Sequence, residues 1–309
     1  MSISAEIIGL IDEIRNDKIH GASQLARRAI DVLKVAAEHS QADSVAQFLM
    51  EQKEIGQRLM SARPAMAPVF NIVNHLLSMI AKKSTEMDLD SIRHLTISKA
   101  DEVIEYSVQA VARIAEHGSG LIADGDIIMT HSYSSTVLAA LKAAFTKHSN
   151  IEVITTKSGP GHTSERIAQQ LGLHGIPVTL IDDAAMGLYI STANKVMVGA
   201  DRVCADGKVV NGIGTYQLAL AAKIASVPFY VLCETLKFDS RLRGDEVDLE
   251  EKDPSEVVES GSLPPGVRVK NPHFDITPLE LVTEIVTENG LLTAEEVISY
   301  LAKQPAKDS

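Results

Sequence analysis

Through roughly the first 115 residues, apolar positions recur at three- and four-residue intervals with almost no strand-like alternation. Ile3, Ile7, Leu10, Ile11 and Ile14 share one helical face, and Leu25, Ala29, Val32, Leu33 and Ala36 share another. Pro68 stands where a first-turn proline belongs, because the N–H it lacks would be unpaired there anyway. Val69, Ile72, Val73, Leu76, Leu77 and Ile80 trace a stripe behind it. Ile104, Val108, Val111 and Ala115 make a further stripe. Beyond Gly118-Ser119-Gly120 the pattern changes to short continuous apolar runs separated by helical stretches: Ile127 to Met129, Ile151 to Ile154, Val178 to Ile181, Val196 to Val198 and Phe229 to Cys233. Runs that do not alternate are buried on both faces, as parallel strands joined by crossover helices are. The expected fold is α/β: an N-terminal helical domain over residues 1–120, then a Rossmann-like doubly wound parallel-sheet domain over residues 121–309. Two helices, from about Pro278 to Glu288 and from Ala294 to Leu301, are expected to close it, followed by a frayed tail from Lys303.

Ligands of doubly wound sheets bind beyond the carboxyl ends of the strands, so the residues after each run are the candidates for chemistry. They read His131-Ser132-Tyr133-Ser134-Ser135, Thr156-Lys157-Ser158-Gly159-Pro160-Gly161, Asp182-Asp183, Gly199-Ala200-Asp201-Arg202 and Glu234-Thr235-Leu236-Lys237-Phe238. Asp201, directly after a buried run, is placed for partial desolvation, which suits a general acid or base; capping the next turn or pairing with Arg202 is the structural alternative. Asn211-Gly212-Ile213-Gly214-Thr215 precedes an apolar helix, and glycines there either admit an anion to free backbone N–H groups or make a tight turn. Walker, Gly-x-Ser-x-Gly and His-Glu-x-x-His patterns are absent, and neither a metal nor a cofactor is implied.

The charge balance narrows the partners. With 29 basic against 41 acidic residues the net charge is −12, which argues against direct nucleic-acid binding, and no apolar stretch is long enough to cross a bilayer. The start lacks a signal-peptide pattern, so a cytoplasmic location is expected, with Cys204 and Cys233 reduced and buried. Nine acidic and three basic residues between Asp239 and Glu259 read as a solvated loop.

Taken together, several motifs resemble one family: the alpha, beta and delta regulatory subunits of translation initiation factor 2B and their enzyme relatives, methylthioribose-1-phosphate isomerase and archaeal ribose-1,5-bisphosphate isomerase. They are Lys18-Ile19-His20-Gly21-Ala22, Ala62-Arg63-Pro64, Ile128-Met129-Thr130-His131, Ile176-Pro177-Val178, Val198-Gly199-Ala200-Asp201-Arg202, Asn211-Gly212-Ile213-Gly214-Thr215, Glu234-Thr235-Leu236-Lys237-Phe238 and Asn271-Pro272-His273-Phe274-Asp275-Ile276-Thr277-Pro278, in the family's order. The resemblance implies the same two-part fold, with dimerisation through the α/β domain.

The departures from the isomerase pattern bear on activity. The isomerases carry a cysteine and an aspartate as a proton-transfer pair. Here the aspartate is Asp201, whereas the cysteine position is Ser132, and an alkyl hydroxyl is far too weak an acid to replace a thiolate. A lysine usual in the isomerases is Gly212, an arginine is Gly159, and the arginine usually found before Gly-Ala is His20. The resemblance places ligand contacts at His20, Gly21, Ala22, Arg63, His131, Ser134, Ser135, Asn211, Gly212 and Lys237. Arg63 and Lys237 would supply charge for a phosphate, or would instead form salt bridges that close the domain interface. The expectation is an archaeal-type regulatory subunit that binds a phosphorylated sugar or nucleoside monophosphate without efficient catalysis, Ser132 being inactive. It would form a homodimer or larger oligomer and meet an initiation factor 2 subunit. The alternative is a ribose-1,5-bisphosphate isomerase using Asp201.

Overall fold

The computed structural model describes residues 3–304 apart from Lys18, Ser149, Glu250 and Ser260. Residues 305–309 of the expected frayed tail, and Lys18 of the first motif, lie outside the described residues. The chain divides into two compact units, residues 1–110 and 111–309.

The first unit is helical, as the apolar spacing requires. Helix α1 (Ala5–Asn16) starts at Ser4, whose hydroxyl accepts the Ile7 N–H and so satisfies one of the donors a helix start leaves open. Helices α2 (Ala22–His39), α3 (Val45–Ala62) and α4 (Ala67–Lys83) follow, the last with Pro68 in its first turn. Helix α5 (Leu89–Gly120) runs through the boundary between the units and through the predicted break at Gly118. Of its expected stripe only Ala115 is buried and Val108 is 47% exposed; the buried face carries Ile92, Thr96, Ala100, Val103, Ser107, Ala110 and Ile114. Hydropathy misses this face because two of its members are polar and satisfied internally. Thr96 donates to the Ile92 carbonyl, and Ser107 accepts from Arg27.

In the second unit all five apolar runs are strands: β1 (Ile127–Thr130), β2 (Glu152–Thr156), β3 (Val178–Ile181), β4 (Lys195–Val198) and, after two short strands β5 (Arg202–Cys204) and β6 (Val209–Gly212), β7 (Phe229–Leu232). The connecting helices are α6 (Ser135–His148), α7 (Thr163–Leu173), α8 (Met186–Tyr189) and α9 (Thr215–Ala225). Strands β8 (Phe238–Asp239), β9 (Phe274–Thr277), β10 (Glu284–Thr287) and β11 (Gly290–Leu292) precede helix α10 (Ala294–Lys303). The main sheet runs β11-β10-β7-β4-β1-β2-β3, parallel except for the β10–β11 hairpin. The strand order reverses between β1 and β4, the switch point at which doubly wound sheets bind ligands. One face buries Met129, Ile154, Val196 and Val231 with Leu218 and Val297 of α9 and α10. The other buries Ile128, Val153 and Met197 with Leu141 and Ile167 of α6 and α7.

Two expectations fail here. The predicted helix over Pro278–Glu288 is strand β10, because Ile285-Val286-Thr287 is β-branched, extends the parallel sheet beside β7 and turns at Gly290 (φ +116°) into β11. The acidic stretch is not wholly solvated, since Asp239 is buried between Arg202 and Arg241. A second sheet, β8-β5-β6-β9, forms from residues that follow β4 and β7 and gives no hydropathy signal of its own.

Candidate active site

The loops after β1 and β4 meet at the switch point. A Cβ on Gly199 would lie 2.7 Å from Ser134 Oγ and 2.8 Å from Ser134 Cβ, so only glycine lets the β4 end approach the start of α6. Ser134 caps α6, its hydroxyl accepting the Val137 N–H at 3.3 Å, and Ser135 opens the first turn. Asp201 stands half-buried two residues on, its N–H donating to the Val210 carbonyl at 2.8 Å. Arg202, its sequence neighbour, is buried and paired with Asp239.

His131 is 1% exposed and fully engaged. The Thr156 hydroxyl donates to its Nδ1 at 2.6 Å, and its Nε2–H donates to the Ile213 carbonyl at 2.6 Å, since a carbonyl can only accept. Burial pushes its pKa down against the opposing effects of Ile213 and Asp183, so the ring is a neutral clip between strand ends. Ser132 adopts a left-handed backbone (φ +63°), an uncommon state for a non-glycine residue. Its hydroxyl lies 3.2 Å from that of Thr163 at the start of α7, and a Cβ on Gly212 would fall 2.7 Å from Ser132 Oγ. Asn211 is buried and donates to the Thr215 hydroxyl at 3.0 Å.

Lys237 is 4% exposed, and its ammonium donates to the Ala200 carbonyl at 2.7 Å. Among the described residues it has no carboxylate partner. Arg63, in the first unit, is 7% exposed and likewise donates only to carbonyls, those of Ile14 and Asp17. Neither cation is paired with a carboxylate among the described residues. Around Arg63 the Asp17 carboxylate organises the following turn. Burial pushes its pKa up, but hydrogen bonds from the His20 and Ile19 N–H groups and the His20 ring outweigh this and hold it at about 2. His20 is thus turned onto Asp17. Gly21 caps α2, Ala22 is buried in its first turn, and beside it the buried Ser23 hydroxyl has no partner among the described residues.

Of the two readings open for the glycines at Asn211–Thr215, a tight turn holds and an anion seat does not. The N-terminus of α9 at Gly214 is filled by Asp275, whose Oδ2 accepts the N–H groups of Gly214 at 2.7 Å and Tyr216 at 3.0 Å. Thr163, Ser23 and Asp275 lie outside the residues singled out from the sequence as candidates, and only Asp275 carries a signal there, its place in the Asn271–Pro278 motif. Asp183, after the third run, braces the β2 loop by accepting the Ser158 and Gly159 N–H groups at 2.8 and 2.7 Å. Cys204 and Cys233 are buried and unpaired, and burial pushes both thiols up to about 12, so neither substitutes for a thiolate. Among the described residues no three His, Cys, Asp or Glu side chains converge as a metal site, and no described helix is long and apolar enough to cross a membrane.

Residues 18–294 match the model of the initiation factor 2 subunit family. The chain belongs to that family. It is 36% identical over 308 residues to a ribose 1,5-bisphosphate isomerase of Pyrococcus furiosus, covering 98% of this chain and 95% of that relative. It is 34% identical over 287 residues to an eIF-2B subunit 2-like protein of the same organism, covering 93% and 96%. Among solved structures, the translation initiation factor eIF-2B of Pyrococcus horikoshii OT3 superposes with a TM-score of 0.81 at 33% identity, over 94% of this chain and 98% of that one. The tetrameric eIF2B-beta2-delta2 complex of Chaetomium thermophilum, at 24% identity, shares the fold with a TM-score of 0.77 over 97% of this chain and 95% of that one. The full-length likeness to isomerases weighs towards the enzyme alternative over the non-catalytic regulatory subunit.

Proposed function

We propose that this chain binds a phosphorylated ribose at the carboxyl ends of β1, β4 and β7 and isomerises it as an aldose–ketose isomerase, with Asp201 as the acid–base group. One observation carries the reading: the buried ammonium of Lys237 donates to the Ala200 carbonyl next to Asp201, has two donors to spare and meets no carboxylate among the described residues, a seat that a phosphate satisfies. Full-length similarity to ribose 1,5-bisphosphate isomerases supports the choice of ribose 1,5-bisphosphate as substrate. Converting that aldose to its ketose moves the C2 hydrogen to C1, opens the C1–O4 bond and carries the O2 proton to O4. Atoms and electrons balance within the substrate, and no redox partner is consumed. Asp201, half-buried after β4, would relay such a proton.

Ser132 favours a second reading, binding with little conversion, because its hydroxyl lies beside Thr163 while the adjacent His131 has its Nε2 committed to the Ile213 carbonyl. The two readings separate in one experiment. Ribulose 1,5-bisphosphate formation is measured for the wild type, Asp201→Asn and Ser132→Cys, with calorimetry against ribose 1,5-bisphosphate, AMP and GMP. Wild-type turnover lost in Asp201→Asn supports the isomerase; activity gained only in Ser132→Cys, with heat of binding throughout, supports the binder. No heat and no turnover would end both. Self-association through the α/β unit, as a homodimer or larger oligomer, is part of the proposal, and a monomer by light scattering would remove that part.

A further inference from the structure

Strand β9 grips the segment Asn211–Gly214 from two sides. It pairs antiparallel with β6, setting Asp275 opposite Asn211, and the His273 carbonyl accepts the Ile213 N–H at 3.0 Å. The Asp275 carboxylate then reaches past that segment to the first turn of α9, accepting from Gly214 and Tyr216 through Oδ2, while its buried Oδ1 has no partner among the described residues. A buried carboxylate in that arrangement costs stability, since burial outweighs the backbone donors of Tyr216, Gly214 and Thr215 and pushes its pKa up to about 6. A residue kept at such a cost is a candidate for function.

The segment it grips packs against the strand ends at the switch point. Gly212 packs on Ser132, a Cβ on Gly214 (φ +104°) would lie 2.7 Å from the His131 ring, and Asn211 Oδ1 would lie 4.0 Å from a Cβ on Gly199. Every one of these approaches is made by Asn211–Gly214 to the loop after β1 or the end of β4, and each depends on where α9 begins. The same carboxylate fills the start of α9, whose N–H groups would otherwise be free to meet an anion.

We propose that Asp275 is the positioning residue of this site: by capping α9 it holds Asn211–Gly214 against the loop after β1 and keeps substrate phosphate off that helix end. The ligand affinities below rest on the phosphosugar reading, whereas the capping does not. In Asp275→Asn the side-chain carbonyl takes the place of Oδ2 and the amide that of the unpartnered Oδ1, so the cap survives without its charge. In Asp275→Ala it is gone.

Hydrogen exchange of the backbone amides over residues 212–217 is measured for both variants and the wild type, with calorimetry against ribose 1,5-bisphosphate and, separately, inorganic phosphate. Asn is expected to exchange no faster than wild type and to keep its ribose bisphosphate affinity within about twofold. Ala is expected to exchange about tenfold faster, to bind the bisphosphate about tenfold more weakly and to gain inorganic phosphate binding at the vacated helix end. Should Ala not fold, Asp275→Ser, whose side chain is too short to span both N–H groups, takes its place with the same expectations. A truncated variant with wild-type exchange and affinity would overturn the proposal, and so would Asn losing as much as Ala. A wild type that binds no ribose bisphosphate sinks the phosphosugar reading alone, because exchange and phosphate binding still decide whether Asp275 caps.

Discussion

Two positions that depart from the isomerase pattern, Ser132 and Gly212, touch one another, and a double-mutant cycle measures how strongly. In Gly212→Ala the new methyl would fall 2.7 Å from Ser132 Oγ and 2.9 Å from Ser132 Cβ, closer than unstrained carbon contacts allow. Ser132 cannot simply swing away, because its backbone is left-handed at φ +63° and its hydroxyl lies 3.2 Å from that of Thr163. Overpacking of this kind costs about 1–3 kcal/mol, less the ~0.4–1 kcal/mol gained by stiffening the unfolded chain. The expected net loss is about 1–2 kcal/mol, or roughly 2–8 °C in Tm for a unit of this size. In a Ser132→Gly background the obstructing side chain is absent, so Gly212→Ala should cost nothing there, and any effect of losing the contact with Thr163 cancels in the cycle. Urea denaturation of the four proteins at pH 7 gives the coupling. Additivity within about 0.5 kcal/mol would show that the two residues do not share space, and the steric reasoning would be wrong. A coupling above about 1 kcal/mol also implies that Gly212→Lys alone, which restores the usual isomerase lysine, is not accommodated until Ser132 gives way.

Three further outcomes follow from the same geometry. Lys237→Met should weaken ribose 1,5-bisphosphate binding about 10- to 100-fold by calorimetry while leaving urea stability unchanged or higher, because it removes a buried charge with no anionic partner; loss of stability in step with affinity would contradict this. The Asp275 carboxyl is held at about 6 in the folded chain against a usual 3.8. The folded state therefore binds the extra proton between those values, and wild-type stability falls as pH rises through that window. Asp275→Asn should gain on wild type by up to about 3 kcal/mol between pH 4 and 6.5, measured by urea titration at several pH values, and a flat difference would refute the shift. For His131 the sign is opposite: its pKa is lowered from 6.5, so the unfolded chain takes up the proton first and stability is lost as pH falls below 6.5. In the Asp275→Asn background, the advantage of wild-type His131 over His131→Gln should shrink from pH 7 to pH 5.5, and a constant gap would mean that the ring is not held neutral.

What could be read directly from the chain depended on burial being two-sided. Ile128, Val153, Val196 and Val231 sit in uninterrupted apolar runs because both faces of a parallel sheet are covered, and that pattern located every strand of the central sheet up to β7. It failed at β10, where the β-branched Ile285-Val286-Thr287 is too short to tell from a turn of helix by periodicity alone. It failed again on α5, where Thr96 and Ser107 lie on the buried face with their hydroxyls bonded inside.

The amino-acid sequence by itself determined the helical and α/β parts, the strands flanking the switch point, and the placing of Asp201 and Ser132 after β4 and β1, because apolar periodicity reports how each element is buried and doubly wound topology fixes which strand ends face a ligand. Partner choice belonged to the tertiary structure: that Asp239 holds Arg202 in a close ion pair, that Lys237 and Arg63 donate to backbone carbonyls, that Gly212 makes room for Ser132, and that Asp275 takes the end of α9. Each of these is a contact between residues distant along the chain. Local spacing sets how a side chain is buried, but only the folded backbone sets which other side chain it meets there.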